Sequence, residues 1–173
     1  MKSTAAGFSL IEVALITLIV SMAMAIAVPA VGTAVRRYKL TSAVQQTAGE
    51  IRAARLKALT ANRTLRVRFD CPVAGQFRVV ELVNNPAIDN DPARCSAATY
   101  PFPDPDPAAA PNQDGPARRL HAGASFAAFQ DFDISPTGRV TAVTGGLPIS
   151  LSIGDGYDLQ TFTVSAAGQV QVP

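Results

Sequence analysis

Reactive side chains are scarce in this sequence. Its 173 residues include one histidine, His121, and two cysteines, Cys71 and Cys95. No nucleophile elbow, phosphate-binding loop, HExxH helix or clustered set of metal ligands occurs. That shortage argues against an enzyme, and neither a cofactor nor a metal is expected. His121, beside Arg118 and Arg119, reads as a loop or strand-edge residue and not as a catalyst. Charge is also sparse: 16% of residues are charged, the net charge is +2, and no long block of one sign is present. Composition therefore gives no ground for a nucleic-acid partner. Asp89, Asp91, Asp104, Asp106 and Asp114 could be imagined around calcium, but prolines hold several of them apart and no glycine-centred binding loop is present. A solvated loop explains them.

What the chain does have is apolar residues (48%), 13 prolines and 12 glycines, which suits one small β-rich or α+β domain behind an unusual leading segment. The cysteines lie far from CxxC spacing and follow that apolar segment. An oxidising compartment and a Cys71–Cys95 disulfide fit this arrangement, with two unpaired thiols as the alternative.

From Phe8 to Val31 the chain runs 24 residues with one charge, Glu12, long enough to cross a hydrocarbon core of roughly 30 Å as a helix. A cleaved secretory signal is the rival reading, with Lys2 as its basic region and "AMA" or "AIA" before Val28 as its small-residue site. Two features oppose it. A carboxylate in the apolar region costs roughly 2.5 to 3.5 kcal/mol on insertion scales, which a disposable segment has no reason to carry. The helical pattern also continues past the proposed cut: residues 32–61 lack proline and are rich in Ala, Leu, Gln, Arg and Lys. Leu40, Val44, Ala48, Ile51, Ala54 and Ala58 follow a three-to-four spacing and form one apolar stripe. The spacing predicts a helix to about Ala61, lipid-facing in its first half and packed on a domain in its second. Pro29 removes a backbone donor and should kink or locally melt it near the membrane exit.

"GFSLIE", Gly7 to Glu12, followed by an apolar run and "AVP", resembles the class III signal of type IV pilins and type II secretion pseudopilins. The resemblance implies a leader of residues 1–7, cut by a prepilin peptidase between Gly7 and Phe8, with Phe8 then N-methylated. It makes Glu12 the fifth mature residue and the assembly carboxylate, paired with the Phe amine of a neighbouring subunit. Physics agrees, since a carboxylate in lipid is costly alone and tolerable when paired. The implied orientation places the N-terminus in the cytoplasm, which puts Arg36, Arg37 and Lys39 on the far side, against the positive-inside bias. They are expected to snorkel to lipid headgroups before extraction and to meet neighbouring subunits afterwards.

After Asn62 the period changes. "TLRVRFD" alternates Leu65, Val67 and Phe69 against Arg66 and Arg68, a strand with one wet face. "GQFRVVELV" reads as a second strand. Residues 84–118 hold 8 of the 13 prolines, including "PFPDPDPAAAP", and read as a long surface excursion that continues neither sheet nor helix. The disulfide would tie it to the sheet. "SFAAFQDFDI" and "RVTAV" flank "SPTG", whose residues suit a type I turn. "PISLSI", "LQTFTVS" and "GQVQV" supply the remaining strands. A long helix laid on a small antiparallel sheet is the economical α+β architecture.

The order of "TAGEIRAARLKALTANRTLRVRF", "SPTGRV" and "TFTVSAAGQVQV" resembles the GspH/FimT group of minor pilins and pseudopilins. That implies segments of 1–7 (leader), 8–31 (membrane and filament-core helix), 32–61 (amphipathic helix) and 62–173 (β-domain). Its implied partners are the prepilin peptidase, other major and minor pilins or pseudopilins, the inner-membrane assembly platform, and membrane lipid before assembly. Pro29 in "AVP" favours a pilus over a secretion pseudopilus. Some FimT-like pilins take up DNA through a basic GRxR motif near the C-terminus, but here Gln169 and Gln171 stand where arginines would be needed. Arg66, Arg68 and Arg78 could form a basic strip on neighbouring strands, though a solvated sheet face explains them as well; a DNA-binding minor pilin stays as one alternative and a secreted β-domain as the other.

Overall fold

The computed structural model describes residues 9–104, 106, 108–121 and 123–172. Two compact units make up the chain, Met1–Tyr38 and Lys39–Pro173. Helix α1, Leu10–Ala61, contributes to both. In the first unit its 18-residue apolar window has a mean hydropathy of 2.5 and none of it is buried. The helix runs through Pro29 without local melting, and the Pro29 carbonyl accepts from Thr33 Oγ1 at 3.1 Å.

In the second unit one stripe of α1 is buried: Leu40, Ala43, Val44, Thr47, Ala48, Ile51, Ala54 and Ala58. The predicted six are all among them, because residues three and four apart share a helix face. After Ala61 the chain turns through Asn62 at φ 53°, with the Arg63 amide bonded to Ala58 O, into strand β1, Leu65–Phe69.

Strand β2 (Gln76–Glu81) pairs antiparallel with β1. The following strands are β3 (Arg118–Arg119), β4 (Ser125–Ala128), β5 (Phe132–Ile134), β6 (Val140–Ala142), β7 (Ile149–Gly154), β8 (Leu159–Val164) and β9 (Val170–Gln171). They form two sheets, ordered β3-β2-β1-β5-β6 and β4-β7-β8-β9. One sheet was the expectation. "SFAAFQDFDI" is two strands, β4 and β5, that lie in different sheets. The Asp131 carboxylate, in the link between them, accepts the Phe69 amide at 3.0 Å and so fixes where the chain crosses.

Inward residues of both sheets join the helix stripe in one core that includes Leu65, Val67, Phe132, Ile134, Leu151 and Phe162. Each such side chain, once buried, contributes about 1.5 to 3 kcal/mol. "SPTG" forms the expected turn between β5 and β6, with the Gly138 amide on Ser135 O at 2.8 Å.

Candidate functional site

Two parts of the chain carry candidate functional residues: the start of α1, and the excursion between β2 and β4.

Gly7 and Phe8 lie outside the described residues. Glu12 lies in the first turn of α1, its amide bonded to Ser9 O at 3.0 Å, among exposed Leu10, Ile11 and Val13. An ionisable group in such a surrounding needs a partner once water is removed.

Residues 84–118 are more ordered than their prolines suggest. Helix α2, Pro86–Asp89, starts on a proline that needs no amide partner there and is capped by Asn85 Oδ1 on the Ala87 amide. A 3-10 turn follows at Pro92–Cys95, capped by Asp91. Cys95, at its end, is bonded to Cys71 beyond β1, with Cα atoms 5.0 Å apart.

Arginines on the sheet hold this excursion down. Arg66 makes a two-pronged pair with Asp133 (2.6 and 3.0 Å) and donates to Asn90 Oδ1 at 2.9 Å. Arg68 donates to Asp91 O at 2.8 Å. Arg78, 1% exposed, gives Nε to Gly115 O (2.8 Å), Nη1 to Arg94 O (3.0 Å) and Ser96 O (3.3 Å), and Nη2 to Tyr100 O (2.6 Å). One guanidinium thus gathers carbonyls from both legs of the excursion. Arg94, fully buried, reaches back to Glu81 O and to the Asp114 carboxylate, with its guanidinium 4.7 Å from the centre of the Tyr100 ring.

Burial pushes the Arg78 guanidinium below its usual value, Asp114 opposing. Burial also raises the Asp114 carboxyl, against the pull of the Glu81 amide, Arg94 and Arg78. On Arg66 the hydrogen bond to Asp133 dominates and raises its value.

Arg66, Arg68 and Arg78 thus form neither a free basic strip nor a solvated sheet face: Arg78 is buried and all three guanidinium groups bond to the chain itself. The physical reason is geometric, since a guanidinium offers five donors in a fixed fork and can satisfy several loop carbonyls at once. The aspartates likewise bind the chain's own amides or cations. Asp89 accepts from Val83 and Asn85, Asp91 from Ala93, Asp104 from Asp106, and Asp106 from Ala108. Asp114 bonds the Glu81 amide and Arg94. Among the described residues no group of three or more His, Cys, Asp or Glu could hold a metal.

The return leg of the excursion runs along α1 with contacts on successive turns. Lys57 Nζ donates to Gln113 O (2.8 Å), Glu50 pairs with Arg118 (2.9 Å), Gln46 donates to Arg119 O (3.4 Å), and Ser42 Oγ meets His121 Nε2 (3.1 Å). His121 is thus a structural contact at the end of β3.

Glu81, Arg94 and Asp114 were not legible as a set. The one available signal was register: Arg68 lies directly opposite Arg78, and opposed like charges in a strand pair demand other partners.

The sequence matches no protein-family model and no curated protein. Its fold is similar to the crystal structure of the type IV minor pilin FimU from Pseudomonas aeruginosa strain PAO1, with a TM-score of 0.51 over 79% of this chain and 90% of that one, at 14% identity. The chain has a type IV pilin-like fold. A pilin-like fold is built around one long N-terminal helix whose second half packs on antiparallel strands, the arrangement seen here in α1 and its sheets.

Proposed function

We propose that this protein is a minor subunit of a type IV pilus, or of the related secretion pseudopilus, with the pilus favoured. The chain is made as a precursor and held in the inner membrane by the apolar half of α1, with its N-terminus cytoplasmic. A prepilin peptidase cuts it between Gly7 and Phe8. Phe8 is then methylated, and Glu12 pairs with the amine of a neighbouring subunit as the helix leaves lipid for a filament or its initiating tip. No chemistry is done by the protein itself.

The observation that carries this reading is a single helix with two different surfaces. Leu10 to Val31 expose an apolar surface interrupted only by Glu12 and a few hydroxyls, while Leu40 to Ala58 bury one stripe in a domain whose fold is similar to a minor pilin's. A helix apolar all round belongs in a membrane or a protein core. Minor over major subunit is supported by the modest β-domain and by the GspH/FimT-like sequence order. The nucleic-acid alternative is weakened, because Arg66, Arg68 and Arg78 are bonded within the domain. Replacing Glu12 with Ala tests the assembly role. Cleavage should proceed unchanged while incorporation into filaments fails; normal incorporation would refute the pairing.

A further inference from the structure

Three loops gather around the first turn of the domain's helix, where the chain enters at Lys39. Gln160 donates to Thr41 Oγ1 (3.1 Å), His121 meets Ser42 (3.1 Å), and the Leu120 amide donates to Gly75 O (2.9 Å). Ser125 stands opposite Gly154 in the β4–β7 pair. These contacts place the 71–75 turn, the segment around His121 and the 155–159 turn at one end of the domain. That end exposes large apolar side chains: Tyr157 at 81%, Leu159 at 60% and Val73 at 51%. Lys39 and Arg119 are exposed beside them, Lys39 one helical turn before Ser42 and so on its face. Asp155 turns its carboxylate back onto the amides of Tyr157 and Asp158.

We infer that this end is a membrane-contacting surface, with Tyr157, Leu159 and Val73 in the headgroup layer and Lys39 and Arg119 on lipid phosphates while the chain is membrane-anchored. The inference rests on the anchor reading above. Tyrosine favours the bilayer interface, where its ring is in an apolar layer and its hydroxyl in water. Cations placed there are drawn to anionic headgroups. So few side chains would hold a free protein to a bilayer poorly, but here the contact is intramolecular. Only seven residues, Gly32 to Tyr38, separate Lys39 from Val31, the last residue of the apolar run, so the local lipid concentration is high and weak contacts suffice. The same covalent continuity favours lipid over a second protein as the occupant.

The sequence contains no tryptophan, so an introduced indole reports only its own surroundings. Full-length Tyr157→Trp protein is placed in vesicles of phosphatidylethanolamine and phosphatidylglycerol, with and without brominated chains. Ile19→Trp, in the apolar run, and Thr137→Trp, in the β5–β6 turn, are the comparisons. Bromolipid should quench Ile19→Trp and Tyr157→Trp, with blue-shifted emission from the second, and should leave Thr137→Trp unchanged. Quenching of Ile19→Trp without Tyr157→Trp overturns the inference while the anchor stands. Quenching of neither overturns both. Blue-shifted but unquenched Tyr157→Trp also overturns it and assigns the surface to another subunit.

Discussion

Arg68 and Arg78 stand directly opposite each other across the β1–β2 pair, and both turn their guanidinium groups onto the excursion that covers that face of the sheet. Like charges so placed repel, and they are tolerated because each is bonded to carbonyl oxygens of residues 91–115. The sheet thus supplies the clamp, and the proline-rich segment supplies backbone carbonyl acceptors, of which Asp91 O and Ser96 O also serve a turn amide.

Arg78 should accordingly control the order of the whole excursion. Arg78→Ala leaves four carbonyls without this donor and Asp114 without one of its neighbouring cations, and should cost about 3–5 kcal/mol. Arg78→Lys should recover only part, since a lysine offers three donors on a single nitrogen. Hydrogen exchange should rise across 84–118 while the β1–β5 pair stays protected; uniform protection in Arg78→Ala would contradict the clamp.

The Cys71–Cys95 bond closes a loop of sequence separation 24, for which chain entropy gives about 3.5 kcal/mol. Reduction, or paired substitution by serine, should lower the denaturation midpoint by a corresponding amount. A midpoint that does not move would show that the bond adds no net stabilisation through the unfolded chain, and that folded-state contacts alone hold the excursion.

Periodicity made the helix legible, since six of its eight buried positions repeat at three-to-four spacing and nothing polar interrupts the apolar run except Glu12 and a few hydroxyls. "SPTG" was legible because each of its residues suits its turn position. The crossing from β4 to β5 was not, because "AFQD" contains no glycine or proline to mark it; Asp131 does that work through the Phe69 amide. The burial of Arg78 was not legible, because a sheet face looks solvated until the segment that covers it is known. Gly7 and Phe8 rest on the motif alone.

Burial raises the Asp131 carboxyl above its ordinary value, against the Phe69 amide and Arg68. A raised group binds its proton more tightly folded than unfolded. Its stabilising contribution is therefore complete below about pH 4, the unfolded value, and is lost as pH rises through the folded one. Asp131→Asn should flatten this part of the stability profile, giving a smaller gain in melting temperature on acidification from about pH 7 to 5 than the parent shows. Equal slopes would mean that Asp131 is not perturbed.

Gly168 has φ +71° in the β8–β9 turn, and an added Cβ would lie 2.7 Å from Gly138 O and 2.8 Å from Arg55 Cδ. Arg55 itself donates to Gly138 O at 3.2 Å, joining the "SPTG" and "SAAG" turns to α1. Gly168→Ala should destabilise by about 2–3 kcal/mol, from strain plus displacement of Arg55. Gly156→Ala, at φ +87° with open space around it, should cost only the backbone term of about 1 kcal/mol. Equal losses in the two variants would remove the contact between the turns from the account.

The central claim, that "GFSLIE" is a processing and assembly signal and not a secretory leader, is tested most directly by the mature N-terminus. Mass spectrometry of the membrane-extracted protein from its native host should find a chain that begins at Phe8 and carries an N-methyl group. A chain that begins near Val28 would contradict the claim, because the whole apolar half of α1, with Glu12, would then be absent from the working protein.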